Sequence, residues 1–503
     1  MKKIIISSFA IAALFSVASC NNDFDNDVTS TVISNGEADF SNYVALGNSL
    51  TSGYRDGTLY ASGQEESYPV MVAAQMQKAG GGTFTQPMMP NDIGGFTNIP
   101  GFAGKLTLKV VDNSLAPVAS APAAALDHIS GKFNNMGVPG AKSFHLLAEG
   151  YGNPAALAVG KANPFFVRFA SAPTTSVLKD AMAQKPTFFS LWIGNNDVLS
   201  YASSGGVGVD QKGNLDPRTY GSNDISDPDV VAGSIKAILE GMKAVGATKG
   251  VIANIPNVTS IPFFTTIPYN PVPLDQATAD LFNQKVAGIK QILTAYGEGN
   301  RIATLKAGAN PLLIKDEALK DLSKEITTAL VQAGVPLAQA AVAGKIFGQA
   351  RHTTSEDLIP LTTKSAINTQ PNYPYAVEPF NRYGITFPLE DQHVLTVTEK
   401  QEVLTATAAY NQRIKALADA YGLAFVDASS KLNELSKSSG IRFDGVKYTA
   451  TYIAGGAFSL DGVHLTGRGY AVIANEFIKA INAQYKSTLP QVNPNAYSGV
   501  QFP

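Results

Sequence analysis

The chain has 503 residues, 45% of them hydrophobic, a formal net charge of −2 at pH 7 and a single cysteine. A charge so close to balance gives no electrostatic case for binding nucleic acid. A lone cysteine can form neither an internal disulfide nor a cysteine-rich zinc site. The apolar share is enough for a large core, the length allows two or three domains, and no repeat at a fixed period is evident.

Met1-Lys2-Lys3 is a short basic start, followed by an apolar run over 4–17. That run is shorter than the roughly 18 residues of a membrane span, so 1–19 reads as a secretory signal. Val17-Ala18-Ser19-Cys20 resembles the bacterial lipoprotein lipobox. The resemblance implies an acylated Cys20 that holds the protein at a membrane surface without a spanning helix. Residues 20–39 carry Asp23, Asp25, Asp27, Glu37 and Asp39 with little periodicity, and read as a flexible acidic tether. The spacing of Asp23, Asp25 and Asp27 lacks the turn glycine and closing glutamate of a calcium loop. Asn21-Asn22-Asp23-Phe24-Asp25 resembles the acidic signals that send some Bacteroidetes lipoproteins to the outer face of the cell. The expected location is the cell envelope, lipid-anchored at the outer membrane, with the face left open.

Val44-Ala45-Leu46-Gly47 reads as a buried parallel strand that stops at a tight turn and presents Ser49 at its carboxyl end, where open α/β sheets bind ligands. A helix over 68–76 follows, with Pro69 in its first turn. Residues 80–130 are rich in Gly, Pro and Asn and read as an irregular excursion. A short strand over 132–136 runs into Gly137-Val138-Pro139-Gly140, then an apolar helix through His145. A helix over 177–183 leads to a strand over 187–193, apolar on both faces, that ends at Gly194-Asn195-Asn196-Asp197. A helix over 230–245 precedes a buried strand over 250–254. This alternation predicts a parallel sheet covered on both faces.

Residues 257 to about 395 depart from the pattern. Helices are predicted over 277–296, 318–333 and 337–347, followed by a Pro- and Asn-rich run near 368–388. The segment reads as an insertion, either a cap over a site or a side subdomain. The alternation resumes with a helix over 400–421, a strand over 423–427, a loop holding Asp461-Gly462-Val463-His464, and a final helix over 470–485. A polar tail occupies 486–503.

Loops that follow parallel strands gather along one sheet edge. The four loops could thus bring together what acyl transfer needs. Ser49 is the candidate nucleophile, His464 its base, and Asp461 the group that fixes the imidazole tautomer. Gly140 and Asn196 offer N–H donors for an oxyanion. Each has a bland reading alone: Ser49 as a helix cap, Asp461 and Asn196 as turn formers, the glycines as backbone hinges. Their joint occurrence favours the chemistry. His128, His145, His352 and His393 have no matching acidic neighbour, and Trp192 reads as core. No Gly-x-Ser-x-Gly, His-Glu-x-x-His, phosphate loop or dinucleotide fingerprint is present.

In motif and in chain order, these four blocks resemble the SGNH (GDSL-type) serine hydrolases. Gly47-Asn48-Ser49-Leu50 matches the Gly-Asp-Ser-Leu block, Gly140 the oxyanion glycine, Asn196 the Asn of Gly-x-Asn-Asp, and Asp461 with His464 the Asp-x-x-His block. The resemblance covers roughly 42–256 and 400–485. It implies a flavodoxin-like three-layer α/β/α sandwich with a central parallel sheet, as a hydrolase domain over 40–485 carrying the insertion at about 257–395. It also implies hydrolysis of carboxylic esters through an acyl-enzyme, with the oxyanion held by Ser49, Gly140 and Asn196. No metal or organic cofactor is implied. The substrate would be a small-molecule, lipid or glycan ester, and the oligomeric state is left open. Asn48 stands where the family has Asp, which puts the local hydrogen bonding in question. The contrasting reading is a catalytically silent surface lipoprotein that binds a glycan or lipid.

Overall fold

The computed structural model describes residues 32–503. The signal segment, Cys20 and residues 21–31 of the tether lie outside the described residues. Five strands build the central sheet: β1 (Tyr43–Gly47), β2 (Asn135–Gly137), β3 (Phe188–Trp192), β4 (Lys249–Ala253) and β5 (Ala424–Val426). Their order is β5-β4-β3-β1-β2, every pair parallel. This is the flavodoxin-like order. Val44, Leu46, Phe189, Leu191, Val251 and Ile252 are all buried, as unbroken apolar runs require when helices cover both faces.

The helices of the sandwich and its insertion are α1 (Ser49–Ser52), α2 (Tyr68–Lys78), α3 (Val177–Ala183), α4 (Asn196–Ser203), α5 (Pro228–Ala244), α6 (Gln276–Ala295), α7 (Ser323–Gln332), α8 (Leu337–Phe347), α9 (Val397–Ala420), α10 (Ala428–Ser436) and α11 (Gly467–Tyr485). Helix α11 packs on α2, α10 and β5, whereas α9 packs on α4 and α5. The reason α11 lies deep in the fold is written in its sequence. Tyr470, Ile473, Ala474, Phe477, Ile478 and Ile481 recur at helical spacing and are fully buried. Helix α5 starts where a local pattern sets it: Asp227 accepts from the N–H groups of Asp229 and Val230, and Pro228 fills the first position. No helix among the described residues is long and apolar enough to cross a membrane.

Register brings the site together. Gly47 pairs with both Gly137 and Trp192, so β1, β2 and β3 end level. A Cβ on Gly47 would sit 2.1 Å from Thr51 Oγ1 and 2.5 Å from the Trp192 carbonyl oxygen. Only glycine lets α1 turn back that tightly over the strand end. β1 is the switch point of the sheet, with β2 on one side and β3 on the other. The crevice beyond such a point is where ligands bind in open α/β sheets.

Two expectations need correction. The stretch at 80–130 contains a hairpin, Leu106–Val111 with Ser114–Ala119. Asp112 and Asn113 turn it with φ of 48° and 59°, the left-handed pair that a two-residue hairpin needs. The surrounding Gly and Pro residues obscure that signal. The tether also ends earlier than residue 39. Glu37 N–H donates to the Tyr485 carbonyl, Ser34 N–H donates to Thr488 Oγ1, and Ala38 is buried. Burying Ala38 and Phe40 against the sandwich draws this end of the acidic segment onto it.

The insertion has cores of its own. One joins Ile289, Leu293, Leu313, Ile326 and Phe347. The other joins Val272, Leu312, Ile314, Ile359 and Leu389. The Arg351 guanidinium bonds Asp316 and grips both oxygens of Asp357. The predicted helix over 318–333 begins only at Ser323, where Asp321 accepts from the Ser323 N–H.

Carboxylate oxygens of Glu317 and Asp391 in the insertion and Glu399 in α9 lie within 4.8 Å of one another. Burial, then the charge of Glu317, pushes the Asp391 carboxyl up. Burial, aided by Asp391 and Glu317, pushes Glu399 up to about 8. The folded chain therefore holds protons that the unfolded chain would release. That stabilisation is complete below the ordinary Glu value of 4.5 and is lost as pH rises through about 8. The melting temperature is expected to fall as pH is raised from about 5 to about 8, and Asp391→Asn to flatten the slope. Calorimetric scans of both proteins across that range check this.

Candidate active site

Asn48 follows β1 and caps α1, its Oδ1 accepting from the Leu50 N–H at 3.1 Å. This places Ser49 at the first position of α1, with its Oγ 2.9 Å from His464 Nε2. His464 Nδ1 lies 2.9 Å from Asp461 Oδ2. An ionised carboxylate can only accept, so the imidazole carries its proton on Nδ1 and turns the bare Nε2 lone pair toward the serine hydroxyl.

Asp461 is well supplied with donors. Its Oδ1 accepts from the N–H groups of Val463 (2.9 Å) and His464 (2.8 Å) and from Ser459 Oγ (3.1 Å). Its Oδ2 also accepts from the Gly57 N–H at 3.0 Å. Burial alone would raise the Asp461 carboxyl. The positive charge His464 carries once protonated, its hydrogen bonds and the two backbone donors outweigh it and hold the carboxyl well below the usual range.

The loop that follows α1 clamps this arrangement. The Asp56 N–H donates to Ser459 Oγ at 3.0 Å, and its carboxylate accepts from the Leu460 N–H (3.0 Å) and the Tyr60 hydroxyl (2.6 Å). The Tyr54 ring lies against the His464 ring, centroids 4.7 Å apart. The Tyr54 hydroxyl donates to the Gly57 carbonyl. Sequence reasoning missed Tyr54, Asp56 and Gly57. An Asp-Gly pair signals a turn, but nothing local names a partner on the far side of the chain.

Opposite the imidazole, Asn196 opens α4 and donates one amide hydrogen to the Ala141 carbonyl at 2.9 Å. The second hydrogen of that amide is uncommitted. Asp197, the next residue, accepts from the N–H and the hydroxyl of Ser143, both at 2.8 Å. That pair ties the loop after β3 to the loop after β2. Gly140 takes a left-handed φ of 79° in that second loop, which the Val138 N–H holds to the Gly47 carbonyl. Among the described residues, the N–H groups of Ser49 and Gly140 have no protein acceptor.

The four blocks that carry the resemblance to SGNH hydrolases lie together at one edge of the sheet. No family model matches the chain, and no curated protein matches it. Among solved structures, Axe2, an acetylxylan esterase from Geobacillus stearothermophilus, is 10% identical with a TM-score of 0.31, over 89% of this chain and 96% of that one. A protein named as a GDSL-like lipase from Parabacteroides merdae is 10% identical with a TM-score of 0.31, over 89% of this chain and 99% of that one. Likeness that faint decides nothing about the site; the chain's own geometry does.

That geometry answers the question raised by Asn48. Its Nδ2 donates to Asn195 Oδ1 at 3.1 Å while its Oδ1 caps α1. The side chain is fully buried and both ends are satisfied, so the amide replaces a carboxylate by letting Asn195 serve as acceptor. The remaining histidines lie elsewhere. His145 accepts from the Lys142 N–H and stacks on Tyr151, and burial with the Lys142 charge lowers it to about 4. His352 is buried in the insertion, where it accepts from the Ala303 N–H. His393 also sits in the insertion, and His128 lies by the Ala170 carbonyl. Trp192 is fully buried, with Nε1 donating to the Asn254 carbonyl.

Proposed function

We propose that this protein is a serine ester hydrolase of the SGNH (GDSL) type that cleaves carboxylic esters through an acyl-enzyme. The observation that carries the reading is the line from Ser49 Oγ through His464 to Asp461, two contacts of 2.9 Å each.

The steps follow from the geometry. Ser49 Oγ attacks the ester carbonyl carbon while His464 Nε2 takes its proton. The carbonyl oxygen gains the negative charge, and the N–H groups of Ser49 and Gly140 and the free Asn196 amide hydrogen receive it. Collapse breaks the bond to the alcohol oxygen, which leaves with the proton from His464. Water then attacks the acyl-enzyme, His464 takes a proton from it, and the carboxylic acid departs as Ser49 regains its proton. Asp461 holds the imidazole and its positive charge throughout.

The lipobox-like Cys20 and the acidic residues after it support a lipid-anchored place at the cell envelope. The test of function is steady-state hydrolysis of p-nitrophenyl acetate by the wild type and by Asn196→Ala. Loss of one oxyanion donor is expected to lower kcat by about 10²–10³, or about 2.7–4 kcal/mol. An unchanged rate would remove Asn196 from the oxyanion site. A wild type inert on esters at large would overturn the reading.

A further inference from the structure

An acyl chain attached to Ser49 has to lie somewhere. With its oxygen toward Asn196 and its alcohol toward His464 Nε2, the space left is a small cavity beside both. Its volume is about 40 Å³. A single water needs roughly 10–15 Å³ of such space, so the cavity holds about three groups of that size.

The walls are apolar. Leu199 comes from α4, Val258 and Ile261 from the segment after β4, Leu432 from α10, and Leu465 from the loop after His464. We propose that the acyl part of the substrate is short, two to four carbons, and that Leu199, Val258 and Ile261 set that limit. The proposal rests on the esterase reading and adds the substrate class to it.

The limiting residues are anchored. Val258 and Ile261 are each 5% exposed. Their segment is pinned at both ends: Ile255 N–H donates to Asn411 Oδ1 at 2.8 Å, and Phe263 N–H donates to the Gly462 carbonyl at 2.9 Å. Gly462 lies two residues before His464, so the wall is tied to the loop that carries the base. Backing the cavity, Trp192 is fully buried and fixed by its Nε1 bond to Asn254. A chain of eight carbons could not be enclosed between these anchored walls without displacing packed side chains, which close-packed interiors resist.

The position of the insertion follows the same logic. Val258 and Ile261 stand where it leaves the sandwich, whereas its helices α6, α7 and α8 supply none of the lining residues. The insertion bounds the acyl cavity through its root, while Leu358 and Leu361 from its body pack on the main core.

The experiment compares p-nitrophenyl acetate, butyrate, octanoate and laurate with the wild type, Ile261→Ala, Leu199→Ala and Ser49→Ala. The wild type is expected to lose at least about tenfold in kcat/KM between butyrate and octanoate, since even one methylene at a pocket wall is worth about 10–200-fold. Ile261→Ala should raise the octanoate-to-acetate ratio by about tenfold or more. Leu199→Ala, on a half-buried helix position, gives the same readout should Ile261→Ala fail to fold. Octanoate turned over as well as acetate by the wild type, with Ser49→Ala inactive, would overturn the short-acyl limit and leave the esterase standing. An unchanged ratio in a folded variant would remove that residue from the wall. No hydrolysis by the wild type at any chain length would overturn both.

Discussion

Ser49→Ala is expected to lower kcat toward p-nitrophenyl acetate by about 10⁵–10⁶, because members of such a triad act as a unit and removing the nucleophile stops acyl transfer. The fold should survive the change. Ser49 Oγ has one partner, His464 Nε2, and that nitrogen faces the cavity rather than the sealed core. Circular dichroism and the melting temperature should therefore match the wild type while turnover falls to background. A fluorophosphonate probe should add its mass to the peptide that contains Ser49 in the wild type alone. Retained turnover, or labelling at another serine, would move the nucleophile away from Ser49.

Asp461→Asn should be nearly as damaging, with kcat lowered by about 10³–10⁴ and KM little changed. Asp461 receives five donors: His464 Nδ1–H, the N–H groups of His464, Val463 and Gly57, and Ser459 Oγ. Asparagine offers one accepting oxygen, and its amide hydrogens would face donors. The imidazole would meet that clash by moving its proton to Nε2, which leaves no base for Ser49. The substrate does not touch this carboxylate, so the loss should lie in kcat.

Stability gives a separate readout. The Asp461 carboxyl is held well below its usual range, so its contribution is present above the unfolded value of about 3.9 and is lost as pH falls below it. Asp461→Asn should melt below the wild type near pH 7, and the gap should narrow in acid. Near-normal kcat in a folded Asp461→Asn would assign the imidazole's orientation to another acceptor.

The chain by itself determined the sheet and the identity of the chemical groups. A parallel strand covered on both faces is largely apolar, so β1, β3 and β4 stand out through Val44-Ala45-Leu46, through Phe188, Phe189, Leu191 and Trp192 around a single serine, and through Val251-Ile252-Ala253. The loops at their ends need specific residue types, and Ser49, Gly140, Asn196, Asp461 and His464 could be named because each follows such a run or precedes a helix in a fixed order. Helix α8 is legible to its last residue for the same local reason.

The tertiary structure alone decided what those groups do to one another. The Gly57 N–H reaches Asp461 across 404 positions of chain. Tyr54 lies on His464 from a comparable distance, and Asn195 becomes an acceptor only because Asn48 sits beside it. The cavity, too, is lined by Leu199, Ile261 and Leu432, which share no stretch of chain. A hydrophobic period or a turn signal is a local pattern and can be read along the chain. A hydrogen bond between loops, or the volume left between packed side chains, depends on backbone positions that exist only once the sheet has closed its register.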